Sequence, residues 1–487
     1  MAGEIFEMRV DHIGVDGLGV GQGPEGRVSV PGVGSGDIVE VEIEHKSPHQ
    51  RHAWGRVRRV VARGGDYVTP VCHHAAPIRG RCGGCPLMHL TDEAQAVAKH
   101  RFVEEALQGF PGYQRQDGLQ QAPDAHPNGL SYRNRAIYTV FRPNQGQIHL
   151  GSRAFGGAGY AKMAGCKVNQ DVVESIAAHL TTILNERDIP LYPARSGVRY
   201  VMIRANQQGD ALVELICAQK DPGWMSSVVS RLREHPNVRG ILSSVNRSKG
   251  NAFRAENPRL VWGEDTLEEK LRDVSLRMTI DSFFQLNAEV AAHMYGAAAY
   301  YTRDAQVIWD LYCGVGGLGI HLARANPKSR LYGCEITESA VNLARYNAQQ
   351  NGVDGFFQVS NLRRGATRQW PKPDLVAVNP PRRGLDDSVK TLLSEVRPRQ
   401  IVYMSCSPAS LHEDLKEICA AGYRIAWHGG WDMLPQTQHV EALVVLDRSE
   451  AAPPRNRRGR PAPTQPSGDS VEDRAAKHRR RYARKKR

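Results

Sequence analysis

No apolar run in this 487-residue chain approaches the ~18 residues that a membrane helix needs. The opening "MAGEIFEMRV" has no basic stretch followed by an apolar one. Both absences point away from a membrane or secreted protein, and a cytoplasmic one is expected. Cysteine is sparse: nine residues, with a single C-x-x-C pair. In a reducing compartment such thiols serve as metal ligands, nucleophiles or core residues rather than disulfides. Acid is short at one end. From Arg455 to Arg487 thirteen Lys/Arg face three Asp/Glu, so this stretch holds +10 of the net +13. Its proline and polar content cannot build a core. The closing "KHRRRYARKKR" suits phosphate backbones through counterion release, whereas a purely solubilising tail is more often acidic.

What remains reads as several units. Residues 5–62 hold short alternating strands between glycine turns ("FEMRVDHIG", "GRVSVPG", "DIVEVEIEH", "WGRVRRVV"), which predicts a small antiparallel barrel. Within it "HQRHAWGRVRR" places bases beside an indole, a pattern suited to nucleic acid. "TDEAQAVAKHRFVEEALQGF" predicts a helix that starts at Thr91 and stops at glycine. Residues 131–280 mix strand and helix patterns and read as α+β. From about 305 strands alternate with helices, which predicts a doubly wound, mostly parallel sheet.

Gly314, Gly316 and Gly319 match G-x-G-x-x-G, and Glu335 ends the next strand, where a carboxylate can hold ribose hydroxyls. NAD is the first reading, and a ligand-free tight turn the plain one. Two features favour S-adenosylmethionine (SAM). Asp310 ends the first strand, where a carboxylate suits a ligand ammonium better than a pyrophosphate. "NPPRRG" at 379–384 stiffens a loop at the sheet's carboxyl edge, with Asn379 offering both a donor and an acceptor.

Cys406 follows the strand "IVYMS" at the same edge, and Ser407-Pro408 should open a loop there. A lone cysteine after a strand is commonly a packed small residue. Glu441 begins the apolar strand "EALVVL", where a carboxylate is costly unless paired or used. A SAM site, a strand-end thiol and a carboxylate together suit methylation of pyrimidine carbon 5. A thiolate adds at carbon 6, carbon 5 attacks the sulfonium methyl, and a base removes the carbon-5 proton before the thiolate leaves. Cys406 and Glu441 would fill those two roles.

In this order, "DSFFQLN", "WDLYCGVGGLG", "NPPRRG", "YMSCSPASL" and "HVEALVVL" resemble the RNA 5-methyluridine methyltransferases, over residues 1 to about 447. The resemblance implies Cys406 as nucleophile and Glu441 as base, with Gln285, Tyr312, Glu335, Asn361 and Asn379 as SAM contacts. Many members carry Asp at the position of Asn379, although "NPPRRG" resembles a ribosomal-RNA branch. The usual Asn of the glycine loop is Gly317 here, so that contact is not carried over. The first 60 residues resemble the TRAM module, a small RNA-binding barrel whose Leu-Pro-Gly-Glu is replaced by "GVGSGD".

Cys72, Cys82, Cys85 and Cys166 stand apart from that machinery. By spacing they suit zinc, aided by His73, His74 or His89, or an iron–sulfur cluster, although a zinc ribbon would show two C-x-x-C pairs. The resemblance implies a [4Fe–4S] cluster on these four thiols, bracing the central domain. Cys217, Cys313, Cys334 and Cys419 read as packing residues.

The expected architecture is α/β. A TRAM-like barrel spans 1–63, a central α+β iron–sulfur domain 64–280, a Rossmann-like SAM methyltransferase domain 281–447 and a basic tail 448–487. RNA is the expected partner, 23S ribosomal RNA before transfer RNA, and a monomer the expected state. The target uracil must leave its stack, and "SYRNRA" at 131–136 offers a cationic track. Two rivals remain. An amino-group methyltransferase also uses Asn-Pro-Pro, but with an aromatic where Arg382 stands. That reading also leaves Cys406 idle; the second rival is a non-catalytic RNA-binding or folding factor with a vestigial SAM site.

Overall fold

Strict alternation in Ile38–Lys46 turns Val39, Val41 and Ile43 inward and Glu40, Glu42 and Glu44 outward. That period is what a strand needs to bury one face. Five such segments close a barrel in the order β1-β2-β3-β5-β4: β1 (Ile5–Ile13), β2 (Gly19–Gly23), β3 (Gly26–Val30), β4 (Ile38–Lys46) and β5 (His52–Ala62). The structure is a computed structural model. It describes residues 3–75, 80–122, 129–157, 159–248, 250, 253, 257–302, 304–362 and 369–449. The basic tail lies outside the described residues.

The barrel is not wholly antiparallel as expected, because β3 and β5 run parallel. Strict alternation of direction cannot close around an odd number of strands, so one parallel pair is required. β2, "GVGQG", has glycine at three of its five positions and no apolar alternation to announce it. Glycine is needed there: a Cβ on Gly21 would lie 2.2 Å from the Arg9 carbonyl oxygen of the paired strand.

α1 (Asp92–Leu107) is capped by Thr91, whose hydroxyl accepts from the Ala94 amide at 3.2 Å. A seven-stranded sheet follows, in the order β12-β11-β10-β9-β6-β7-β8. Its strands are β6 (Arg135–Phe141), β7 (His149–Arg153), β8 (Tyr160–Lys162), β9 (Val198–Ala205), β10 (Ala211–Cys217), β11 (Val238–Val245) and β12 (Arg259–Gly263). Successive residues point to opposite faces, so each strand serves two cores. Val201, Ile203, Val213 and Leu215 pack under α2 (Asp171–Glu186) and α3 (Met225–Leu232). Met202, Leu212 and Leu242 join the core of the carboxyl-terminal sheet instead.

A hairpin of β13 (Thr266–Leu271) and β14 (Val274–Thr279) leads into α4 (Ala288–Tyr301). Then come β15 (Val307–Leu311), α5 (Gly317–Ala325), β16 (Arg330–Glu335), α6 (Glu338–Gln350), β17 (Gly355–Val359), β18 (Leu375–Val378), α7 (Asp387–Val396), β19 (Gln400–Ser405), α8 (Pro408–Ala420), β20 (Tyr423–Trp431) and β21 (Glu441–Arg448). The sheet order is β17-β16-β15-β18-β19-β21-β20, with β21 antiparallel to both neighbours. Its parallel strands read as near-continuous apolar runs because helices cover both faces. Asn347 and Asn351, one turn apart on α6, imitate a neighbouring strand for β14. Their amides bond the Arg277 and Ser275 backbones at 2.7–3.1 Å. No described helix is long and apolar enough to cross a membrane.

Candidate active site

The parallel strands end together, and their carboxyl ends open onto a cavity of about 710 Å³. Cys406, Glu441, Gln285, Tyr312, Glu335, Asn361 and Asn379 all line it. These residues span more than 150 positions of sequence, and a doubly wound sheet collects such positions at one edge.

Cys406 sits between the last residue of β19 and Ser407, the N-cap of α8. The Ser407 hydroxyl accepts from the Ser410 amide at 3.3 Å, and Pro408 takes the first helical position. The loop expected after Cys406 is therefore absent. Serine at the cap and proline at N1 start a helix rather than open the chain. The thiol is held at a fixed strand–helix junction.

Glu441 opens β21, opposite Trp431 of β20. Burial pushes its carboxyl up to about 8, and the positive charge of Arg382 opposes that. Burial first, then the Glu441 charge, push the Cys406 thiol up, while Arg382 pulls it down by charge and hydrogen bonding. Arg382 therefore favours the charged form of both groups. Its own Nη2 lies 3.3 Å from His439 Nε2.

Asp310 does not act as expected. It is buried and its carboxylate accepts from the Gly319 amide at 2.9 Å, so it braces the glycine turn behind the cavity. Glu335 lines the cavity and also fixes that turn, accepting from Gly314 N at 3.3 Å and Ile336 N at 2.8 Å. The cavity suits the SAM that the sequence implies. The Tyr312 hydroxyl is buried on the cavity wall, beside the Asp386 backbone. At Gly314 (φ +52°) an added Cβ would meet nothing closer than 3.9 Å, so the backbone itself faces open space.

Two walls come from residues distant in sequence. Asn134 Nδ2 donates to the Gln285 carbonyl at 3.0 Å, and Asn134 N to that of Leu286 at 3.0 Å. Buried Arg204 grips the carbonyls of Thr279 and Ser282 at 3.1 and 2.7 Å. "SYRNRA" thus supplies a clamp through Asn134 as well as a cation, Arg135, on the cavity wall. The second wall is the 432–440 segment. Lys99 Nζ, fully buried, meets Asp432 at 2.6 Å, the Tyr132 hydroxyl donates to the Pro435 carbonyl at 3.0 Å, and Gln95 bonds the Gln436 side chain and amide at 3.0 Å each.

Phe283, Arg382 and His439 also line the cavity. They lie within "DSFFQLN", "NPPRRG" and "HVEALVVL", beside the residues expected to contact SAM or react. Phe283 is 64% exposed, and its signal was an aromatic two positions before Gln285.

The barrel arginines are not the free cationic track expected. Arg56 and Arg58 meet Glu42 at 2.8 and 2.6 Å, and Arg59 meets Glu40 at 3.4 Å. Glu40 and Glu42 of β4 stand opposite Arg59 and Arg56 of β5, which cancels much of the local potential. Trp54 is stacked by His45 and His52, at 5.5 and 4.5 Å between ring centres.

Among the described residues no group of three or more His, Cys, Asp or Glu is arranged to hold a metal ion, and the expected [4Fe–4S] cluster is not shown. The four thiols do share a neighbourhood. Cys72, Cys85 and Cys166 border one small apolar cluster with Met88, Tyr132 and Val168. Burial first, then Cys166, Cys82 and Cys72, push the Cys85 thiol far up. Of the cysteines read as packing residues, Cys217, Cys313 and Cys334 are buried and Cys419 is half-buried; Cys334 also lines the cavity.

Numbered within its own unit, the carboxyl-terminal sheet runs 3-2-1-4-5-7-6 with strand 7 reversed, and the cavity opens at its carboxyl edge. Fold and cavity together define a SAM-dependent methyltransferase. Residues 298–396 match the methyltransferase small domain, and 370–449 match the family described as tRNA (Uracil-5-)-methyltransferase. An uncharacterized RNA methyltransferase of Chlorobaculum tepidum is 30% identical over 484 residues, covering 92% of this chain and 97% of its own. Another, of Halalkalibacterium halodurans, is 28% identical over 457 residues, covering 91% and 96%. The fold superposes on the Pyrococcus abyssi tRNA (uracil-54, C5)-methyltransferase, solved with S-adenosyl-L-homocysteine, with a TM-score of 0.71. That match has 24% identity and covers 91% of this chain and all of the other. The chain belongs to the RNA 5-methyluridine methyltransferase family and is a SAM-dependent RNA methyltransferase.

Proposed function

We propose that this protein methylates carbon 5 of a uridine in RNA, preferably 23S ribosomal RNA, through a covalent bond between Cys406 and carbon 6. The observation that carries the reading is the convergence of a junction-held thiol and an enclosed carboxylate on the same cavity as the SAM-contact positions. SAM, when bound, supplies the methyl group. Cys406, as thiolate, bonds carbon 6 and makes carbon 5 nucleophilic. Once carbon 5 carries the methyl group, Glu441 takes its proton, the electron pair restores the ring double bond, and the carbon 6–sulfur bond breaks. A carboxylate raised to about 8 is a stronger base than an ordinary glutamate, which suits a carbon acid. Gln285, Tyr312, Glu335, Asn361 and Asn379 hold SAM, and Phe283, exposed at the mouth, offers a face for a uracil drawn out of its stack.

Arg382 stands where an amino-group methyltransferase would place an aromatic, which further supports the carbon-5 reading. A transfer-RNA target is the second reading. It is favoured by the description of the family matched at 370–449. The four outlying thiols belong to the same reading as ligands of a [4Fe–4S] cluster, supported by their common neighbourhood. A four-iron core is wider than one ion, so thiols too dispersed for a single metal still suit it. The basic tail tracks the RNA backbone.

RNA containing 5-fluorouridine, incubated with the protein and SAM, should give a denaturation-resistant adduct on Cys406, because no proton is left to remove. No adduct, or an unchanged methylation rate in Cys406→Ala, would overturn the proposal. Mapping the methyl group in ribosomal and transfer RNA separates the two targets.

A further inference from the structure

His439 has no role in the chemistry above, yet it lines the cavity and touches Arg382, a cation that acts on both reacting groups. A guanidinium has only donors. The 3.3 Å contact between Arg382 Nη2 and His439 Nε2 therefore requires Nε2 to be bare and to accept. The imidazole must be neutral, with its proton on Nδ1. Its surroundings enforce this: burial first, then the positive charges of Arg382, Lys99 and Arg133, hold its pKa below the ordinary value. Arg382 itself is exposed, and a long exposed side chain has many rotamers unless something fixes it. Left free, its charge would spend little time beside Cys406.

We infer that His439 is a positioning residue, a neutral imidazole acceptor that holds the Arg382 guanidinium against Cys406 and so favours the thiolate before RNA arrives. This rests on the reading of Cys406 as nucleophile, but its test needs neither RNA nor methyl transfer. On the Cys406 side the groups facing the thiol are Glu441, which opposes ionisation, and Arg382, which favours it. On the His439 side they are Arg382, Lys99 and Arg133.

The test is the pH dependence of Cys406 alkylation by iodoacetamide in the full chain, read on the Cys406 peptide by mass spectrometry so that the other eight cysteines do not interfere. His439→Ala and His439→Leu should raise the midpoint by about one pH unit, the scale of losing one nearby opposite charge, and slow alkylation several-fold near pH 8. His439→Gln, whose amide oxygen can accept, should keep the wild-type midpoint. In an Arg382→Ala background, His439→Ala should add nothing. An unmoved midpoint in both the Ala and Leu variants would sink the inference. So would failure of Gln to rescue, or a further shift in the absence of Arg382. Methylation that persists in Cys406→Ala would instead refute the nucleophile reading and leave these midpoints unaffected.

Discussion

Replacing Glu441 with Gln should stabilise the folded protein at high pH while impairing turnover, and the size follows from the burial of one carboxyl. The group moves from an ordinary 4.5 to about 8 in the fold. At about 1.4 kcal/mol per pH unit, ionising it costs the folded state at most on the order of 5 kcal/mol, less whatever water in the cavity recovers. The folded pKa is raised, so the neutral carboxyl belongs to the fold. The associated stability is complete below about 4.5 and is lost as pH rises through about 8. Glutamine cannot ionise and escapes that loss. In urea unfolding without RNA or SAM, the variant's advantage over wild type should therefore be smallest at pH 4.5 and grow by a few kcal/mol towards pH 8.5. Parallel stability curves would refute the burial argument. The same variant should still form the methylated adduct but release it slowly. Wild-type turnover should climb between pH 6.5 and 8 as Glu441 ionises, and full-speed turnover by the variant would remove Glu441 from the mechanism.

Lys99→Ala leaves half-buried Asp432 without its partner, so it should cost about 1–3 kcal/mol by thermal or urea unfolding, and pairing it with Asp432→Ala should recover much of that. Asn134→Leu removes the buried side-chain donor to the Gln285 carbonyl and leaves the backbone bond to Leu286 in place. It should weaken SAM binding several-fold by calorimetry while leaving Cys406 alkylation near wild type, and equal loss of both would mean general unfolding. Anaerobically purified protein should contain close to four irons with absorbance near 400 nm. Cys85→Ser should lower both; an iron-free, fully active wild type would dismiss the cluster.

How much of this was legible in sequence depends on where each signal lay. The carboxyl-terminal sheet was readable because its strands are short apolar runs between recognisable helices. Every expected cavity residue except Gln285 sat at or just past a strand end, where topology decides position. β2 was hidden because glycines carry no hydropathy signal, and the parallel barrel pair because closure is a property of the whole ring. Asp310 misled because a strand-end carboxylate can face the ligand or the turn behind it, and only the Gly319 amide distinguishes the two. The barrel arginines misled because their neutralising glutamates lie on a different strand, at cross-strand positions that single-chain reading does not register. His439 was overlooked because its meaning comes from Arg382, 57 positions away.

The 432–440 segment that delivers Glu441 is fastened by Gln95, Lys99 and Tyr132, all in the first third of the chain. A fragment starting near residue 281 would keep every strand of the nucleotide sheet yet lose the scaffold for one side of its own reaction chamber. Excision should therefore cost the fragment core packing as well as activity, and on the ribosome the chamber can take shape only after the final strand emerges to meet a helix made hundreds of residues earlier.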